Sequence, residues 1–234
     1  MRILDRSILT EVQIPYKAIV EMIMYRDGHI VDRQLQEILN GVNNYRRTTV
    51  IEGGPRTGAL IIRSSQGEWE FRPGRHSSAT YRTFPPSLNI AAFRMQNLSL
   101  VRNKLEVRNL GRSMVAGRTC EKIAVKPAHG RLGYKKLWAD TKTGVELKWE
   151  RYGMGDTLMA TWTVKSINYN WRPQRDTFKF IPPPGCRVEK LPMPRRYSLD
   201  LAQVKAGFKA ILPTYIPSGF VFDREHVGIM QIGP

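Results

Sequence analysis

Cysteine is nearly absent: Cys120 and Cys186 are the only two among 234 residues. Their spacing fits no zinc or redox motif, and two thiols exclude a disulfide-dense scaffold. The pair reads either as one disulfide, worth up to about 4 kcal/mol on the loop-entropy model, or as a small buried strand residue and an unrelated loop thiol. Nothing in the sequence places them near each other, which favours the second reading. Histidine is equally sparse. His29, His76, His129 and His226 lie scattered without HxH, HExxH or Cys/His spacing, so no metal site is expected. No GxSxG elbow, P-loop or GxGxxG occurs, and Ser113 has no identifiable base partner. Glu68 with Glu70 and Glu146 with Glu150 read as solvated rows of strands. The chain is therefore read as non-enzymatic and without a cofactor.

Long hydrophobic runs are missing as well. The longest uncharged run near the end, between Lys209 and Asp223, is broken by Pro213 and Pro217. It falls short of the roughly 18 apolar residues a spanning helix needs. At the start, Asp5, Arg6 and Glu11 interrupt the apolar core that a secretory leader requires. No low-complexity tract or solenoid repeat appears. A hydrophobic content of 41% and a charged content of 24% are ordinary for a globular chain. At this length folding buries roughly 70% of the unfolded surface, enough for one substantial core.

Acidic residues are the remaining scarcity: 20 against 37 lysines and arginines, a formal net charge of +17. Between Gly53 and Lys136 the only acids are Glu68, Glu70, Glu106 and Glu121, against sixteen bases. Arg56, Arg63, Arg72, Arg108, Arg112 and Lys135 from that region are candidate contacts for an anionic partner. An acidic protein segment, anionic head groups at a membrane surface and nucleic acid all fit that charge. The competing reading is a solvated surface that serves only solubility. Tyr81, Tyr134 and Trp171 are the aromatics a nucleic-acid platform would use, but no RNP, KH or helix-turn-helix pattern accompanies them, so nucleic acid is not favoured.

What the chain has is period-two alternation. Val145, Leu147 and Trp149 alternate with Glu146, Lys148 and Glu150, and Leu158, Ala160, Trp162 and Val164 alternate with Met159, Thr161 and Thr163. Such alternation marks strands with two different faces. Asp140 to Gly144 and Gly153 to Asp156 supply the turns between them. Strands are also expected over 16–25, 45–52, 59–63, 68–72, 105–110, 119–125, 134–139 and, last, 176–181. Helices are expected over 3–12, ended by Pro15, and over 87–98, where Leu88, Ala91, Ala92 and Met95 recur at helical spacing after Ser87. Residues 33–39 have helical content. Pro182 to Pro184 end the last strand, and 189–197 read as a basic linker. Ser198 then caps a helix that carries Leu201, Val204, Phe208, Ile211 and Leu212 on one face and stops at Pro213.

The segment from Val115 to Asn170 resembles the amino-terminal domain of the MucB/RseB family of exported anti-sigma-factor regulators, which belongs with the LolA lipoprotein carriers. The likeness rests on Cys120, Glu121 and Ile123, on Tyr134, Leu137, Trp138 and Asp140, and on Ile167, Asn168 and Asn170. Upstream it continues through Tyr16 to Arg26, Asp27-Gly28, Gly54-Pro55-Arg56, Trp69 to Phe71 and Pro73-Gly74. Ile211 to Phe220 resemble the opening of that family's carboxy-terminal domain.

The resemblance implies a mainly β, α+β architecture: a curved antiparallel sheet forming an unclosed half-barrel over 3–188, with helices at its concave face. Residues 198–234 are then the beginning of a truncated second domain. It implies a strand and loop where 33–39 look helical, and it places the 87–98 helix against the concave face, burying Leu88, Ala91 and Met95. In a half-open barrel the core face is also the ligand face. Trp69, Phe71, Trp138, Trp149 and Trp162, with Leu88 and Met95, are therefore candidates to line a hydrophobic concavity, plain core being the competing reading for each. The implied function is a periplasmic or otherwise extracytoplasmic regulator, its signal or anchor outside this chain, that binds an anti-sigma factor and senses an amphiphile. The alternative is a carrier of lipid or lipoprotein, and contact with a membrane surface fits either.

Overall fold

The computed structural model describes residues 2–43, 45–84, 102–128, 133–191, 196–217, 220–225 and 227–229. Helix α1 (Arg2–Gln13) leads into β1 (Tyr16–Arg26), β2 (His29–Asn40), β3 (Arg46–Glu52), β4 (Leu60–Arg63), β5 (Gly67–Arg72) and β6 (Ser78–Thr83). After residues outside the description come β7 (Leu105–Val115), β8 (Arg118–Pro127), β9 (Tyr134–Asp140), β10 (Glu146–Tyr152) and β11 (Leu158–Asn168). The chain ends in β12 (Arg187–Leu191), β13 (Arg196–Tyr197), α2 (Leu199–Ala206) and β14 (Val227–Gly228).

Strands β1 to β12 form one curved, unclosed sheet in the order β12-β6-β5-β4-β3-β2-β1-β11-β10-β9-β8-β7. Neighbours pair antiparallel except β12, which lies parallel to β6. The expected sheet is thus present. Pairing of β1 with β11 joins two meanders, and the short β1–β2, β4–β5, β9–β10 and β10–β11 turns are cheap to close.

Register assigns the faces. Lys122, Trp138, Lys148, Thr163 and Glu21 stand opposite one another across five strands. One residue over, Ile123, Leu137, Trp149, Trp162 and Met22 form the row on the other face. Helix α1 packs on this second face, Ile3 and Leu4 resting on Ile123, Leu137 and Ala139. The buried Asn40 amide donates 2.9 Å hydrogen bonds to the carbonyls of Glu11 and Ile14, answering two of the acceptors a helix end leaves open. The main core gathers Tyr16, Ala18, Val20, Ile38, Leu147, Trp162 and Val164.

At the opposite end from the β1–β2 turn, a polar knot fastens the sheet. Asp140, 2% exposed, accepts from the amides of Lys142 (2.8 Å) and Thr143 (3.3 Å), from the Tyr169 hydroxyl (3.2 Å) and from Arg118. Burial alone would raise the Asp140 carboxyl, but Arg118 and the two amides outweigh it and hold it below its usual range.

Several expectations are corrected. Residues 33–39 are strand, not helix, because hydrogen bonding to both β1 and β3 overrides local preference. Residues 176–181 are not a strand. They run through two turns, and Phe178 and Phe180 pack on Tyr45 and on Trp69 and Phe71. Ser78–Thr83 and Arg187–Leu191, the first not anticipated and the second read as linker from 189, form β6 and the edge strand beside it. Helix α2 is capped by Ser198 as expected, yet ends at Gly207, whose φ of 73° suits a glycine, rather than at Pro213. Phe208, Ile211 and Leu212 therefore lie beyond it, the first two exposed. The helix expected at 87–98, with Leu88, Ala91 and Met95, lies outside the described residues.

Gly67 shows how tightly β5 and β6 approach. A Cβ there would meet the carbonyl oxygen of Arg82 and the Tyr81 ring closer than side chains normally come. Gly67→Ala is expected to cost about 1–3 kcal/mol through this overpacking, read as a lower urea midpoint with an unchanged slope.

Candidate functional site

The α1-bearing face of β2 to β5 holds a cavity of about 530 Å³, within the range typical of small-molecule sites. Gln34 and Gln36 of β2, Thr48 and Val50 of β3, Ile61 of β4 and Glu70 and Arg72 of β5 line it, closed by Pro55, Arg56 and Pro73 from the turns. Its polar wall is hydrogen-bonded in a row. Arg56 pairs with Asp32 at 3.1 Å, Gln34 donates to Asp32 at 2.8 Å, and Gln36 donates to Gln34 at 3.0 Å. Arg72 pairs with Glu70 at 2.7 Å. Both guanidiniums are exposed and charge-balanced, so an anion entering there would have to displace a neighbouring carboxylate. Gln36 also donates to the Met22 sulfur at 3.8 Å, and Met22 stands opposite Trp162. The polar row therefore leads along the same face to the Trp162 and Trp149 indoles, which lie parallel with centroids 6.5 Å apart.

Of the anticipated aromatic set, Trp149 and Trp162 come together on this face. Trp138 is on the opposite face, with Lys148 at 4.5 Å and Lys122 at 4.9 Å from its ring. Trp69 shares that opposite face through the register Arg47, Ile62, Trp69, Tyr81, and packs on Tyr81 and Phe180. Phe71 packs on Phe180 and contributes to the cavity wall. Leu88 and Met95 are outside the described residues. Among the described candidates, the register thus sets Trp149 and Trp162 on one face and Trp138 and Trp69 on the other.

The basic candidates also separate. Arg56 and Arg72 meet at the cavity. Arg63 is paired with Glu68 at 2.6 Å, and Arg108 with Glu106 at 3.0 Å on the edge strand β7, where Arg112 is exposed too. Lys135 pairs with Glu146 at 3.0 Å and lies 5.4 Å from the Trp149 ring centre. Cys120 and Cys186 are free thiols, and burial, with Asp140 nearby, pushes the Cys120 thiol up to about 11. It is poorly reactive for that reason.

Gln34, Gln36 and Thr48 were not singled out from the sequence. Their signal is the alternation Asp32, Gln34, Gln36, Asn40, a period-two row polar at every position but Ile38, that becomes meaningful only once 29–40 is strand.

No curated protein matches the chain in sequence. In structure it is similar to a chain of the MucA/MucB complex of Pseudomonas aeruginosa, with a TM-score of 0.58, 19% identity, and coverage of 76% of this chain and 60% of that one. It is similar also to a crystal structure of MucB, with a TM-score of 0.57, 17% identity and coverage of 80% and 64%. An uncharacterized conserved protein from Thermus thermophilus gives a TM-score of 0.55 at 12% identity, over 81% and 98% of the two chains. The present chain spans less than two thirds of the length of those first two relatives. These likenesses concern the fold. The model of the MucB/RseB N-terminal domain matches residues 15–180, the stretch from β1 through β11 that carries the cavity and the tryptophan pair, and the chain belongs to the MucB/RseB family.

Proposed function

We propose that this chain is an extracytoplasmic, non-enzymatic regulator that holds an anti-sigma factor and responds to an amphiphile whose head group enters the cavity at Gln34, Gln36, Arg56 and Arg72. Family membership over 15–180 supports a regulator or carrier kind of function and suggests the partner. The observation that carries the ligand half of the reading is the graded lining of one face. Amides, a hydroxyl and two guanidiniums stand at one end, and Met22, Trp162 and Trp149 continue from it. An acyl chain alone would cover the exposed Arg56 and Arg72 guanidiniums without replacing the hydrogen bonds they make to water. A molecule with a polar head and an apolar tail satisfies both ends. On this reading residues 3–188 are the sensing domain and 198–234 begin a second one.

The test is binding of a labelled extracytoplasmic segment of the anti-sigma factor, followed by fluorescence anisotropy while lysophospholipid is titrated in. Affinity for the segment is expected to fall about tenfold, a typical coupling between two sites. A Gln36→Ala, Arg56→Ala double variant should bind the segment normally and lose most of the lipid response. Segment binding indifferent to lysophospholipid would remove the sensor from this reading, and lipid binding without segment binding would make the chain a carrier.

A further inference from the structure

The antiparallel topology brings the β1–β2 and β10–β11 turns, the end of β8 and the start of β9 to one rim of the sheet, because β1 lies beside β11 and β10, β9 and β8 follow in order. Large apolar side chains stand in water there: Met24 is 40% exposed, Ile30 57%, Val31 53%, Met154 72% and Met159 47%. Met24 is paired with Ala160 and Tyr25 with Ile30, so Met24 stands on one face and Met159 and Ile30 on the other, and the tips of two neighbouring hairpins present apolar side chains from both faces along one rim. Adjacent strands are only about 4.8 Å apart. Single exposed apolar residues are ordinary, whereas a contiguous group of them marks an interaction surface.

The flanks of the rim carry a second, independent signature. Tyr134 and Tyr152 stack at 4.6 Å, with Lys126 4.0 Å from the first ring and Lys136 4.4 Å from the second. Arg26, Lys126, Lys136 and Arg151 make no ion pair among the described residues; the acids near them are Asp27 and Asp156 at the turns and Glu150, which accepts from the Tyr152 hydroxyl at 2.7 Å and is already paired with Lys148 at 2.8 Å. Apolar tips below a belt of tyrosines and long cationic side chains match the layering of a lipid interface, where such side chains reach the head groups. The turns can enter that interface without opening any backbone pairing, since the ladder bonds close within each hairpin.

We infer that this rim docks edge-on to a bilayer containing anionic lipid, through Met24, Ile30, Val31, Met154 and Met159 at the acyl boundary and Lys126, Lys136 and Arg151 at the head groups. The inference is independent of the cavity and of the anti-sigma partner. A second copy of the chain is the poorer occupant. The same cations would face each other across a two-fold contact, in a molecule of net charge +17, whereas an anionic surface complements them.

Flotation of the full chain with vesicles of phosphatidylcholine, with and without added phosphatidylglycerol, tests this. Binding is expected on the anionic vesicles, weakened at least about tenfold both by Ile30→Asp with Met154→Asp and by Lys126→Glu with Arg151→Glu, since affinity sums apolar burial and charge attraction. Arg187→Glu with Lys190→Glu on the edge strand β12 alters charge equally away from the rim and should have little effect. Met154→Trp, at the most exposed of the five sites, should add to the emission of the five native tryptophans a component, read as the difference from the wild-type chain, that shifts to the blue on vesicles and is quenched by brominated acyl chains. Failure to float with anionic vesicles, equal losses from the β12 pair, or a difference emission from the Met154→Trp variant unchanged by vesicles would each overturn the inference. So would light scattering that shows the rim variants splitting a dimer while vesicle binding persists.

Discussion

Arg118→Ala is expected to cost about 3–5 kcal/mol, the range for removing one partner of a buried ion pair. Asp140 is nearly fully enclosed at the end of β9, and among the described residues Arg118 is its one basic partner in the hydrogen-bonded knot. The guanidinium also lies 4.7 Å from the centre of the Tyr169 ring, so its removal takes away packing as well as charge. Arg118→Lys should recover only part of the loss, because an ammonium lacks the planar group that can both bond the carboxylate and stack on the ring. Urea denaturation at neutral pH measures both variants. A loss under about 1 kcal/mol for Arg118→Ala would show that Asp140 is held by its amide donors and Tyr169 alone.

The same pair predicts a pH dependence with a definite sign. The folded Asp140 carboxyl is held below its usual value, so its contribution is fully present above the unfolded-state value near 3.8 and fades as pH falls through the folded one. The wild-type chain should therefore lose stability in that acid window faster than Arg118→Ala, whose carboxyl has lost the cation that kept it ionised. The gap between the two denaturation midpoints is expected to narrow as pH drops below about 4. A gap constant from pH 7 to pH 3 would mean that packing, and not charge, carries the effect of Arg118.

Val145 to Glu150 and Leu158 to Val164 announce themselves as strands because one face of each is dry, which writes the strand period directly into the sequence. Strand β2 does not, since its inward row of Gln34, Gln36 and Asn40 is polar: the first two bond along the row, to Asp32 and Gln34, and Asn40 reaches the distant carbonyls at the end of α1. Nothing local distinguishes such a row from the wet side of a helix. Strand β6, of sequence SATYRT, offers mostly small and polar side chains and is defined by its pairing with β5 and β12. Residues 176–181 mislead in the other direction, where Phe178 and Phe180 show strand spacing but belong to turns that press both rings onto the sheet. The site suffers from the same ambiguity. Which face a tryptophan occupies depends on register, and a shift of one residue exchanges the faces, so Trp138 and Trp149 could be recognised as strand residues but not as residents of opposite sides.

Trp162→Ala is expected to cost about 3–5 kcal/mol, the usual loss on truncating a buried large aromatic side chain. Trp162 is 9% exposed, takes part in the main core with Val20 and Val164, and lies parallel to Trp149. Deleting it leaves a void whose walls, strands hydrogen-bonded on both sides, have little freedom to collapse. Trp149, only partly buried on the same face and within reach of Lys135 and Arg151, has less to lose. Its alanine variant should be milder in stability, and should weaken lysophospholipid binding if the tail of the amphiphile runs along this row. The pair of variants thus separates core from ligand surface at neighbouring positions, with thermal melting for one quantity and lipid titration for the other. Should Trp162→Ala leave the melting point nearly unchanged while abolishing lipid binding, the indole is a wall of the ligand site. The core of the sheet must then be sought in Val20, Ile38 and Leu147 alone.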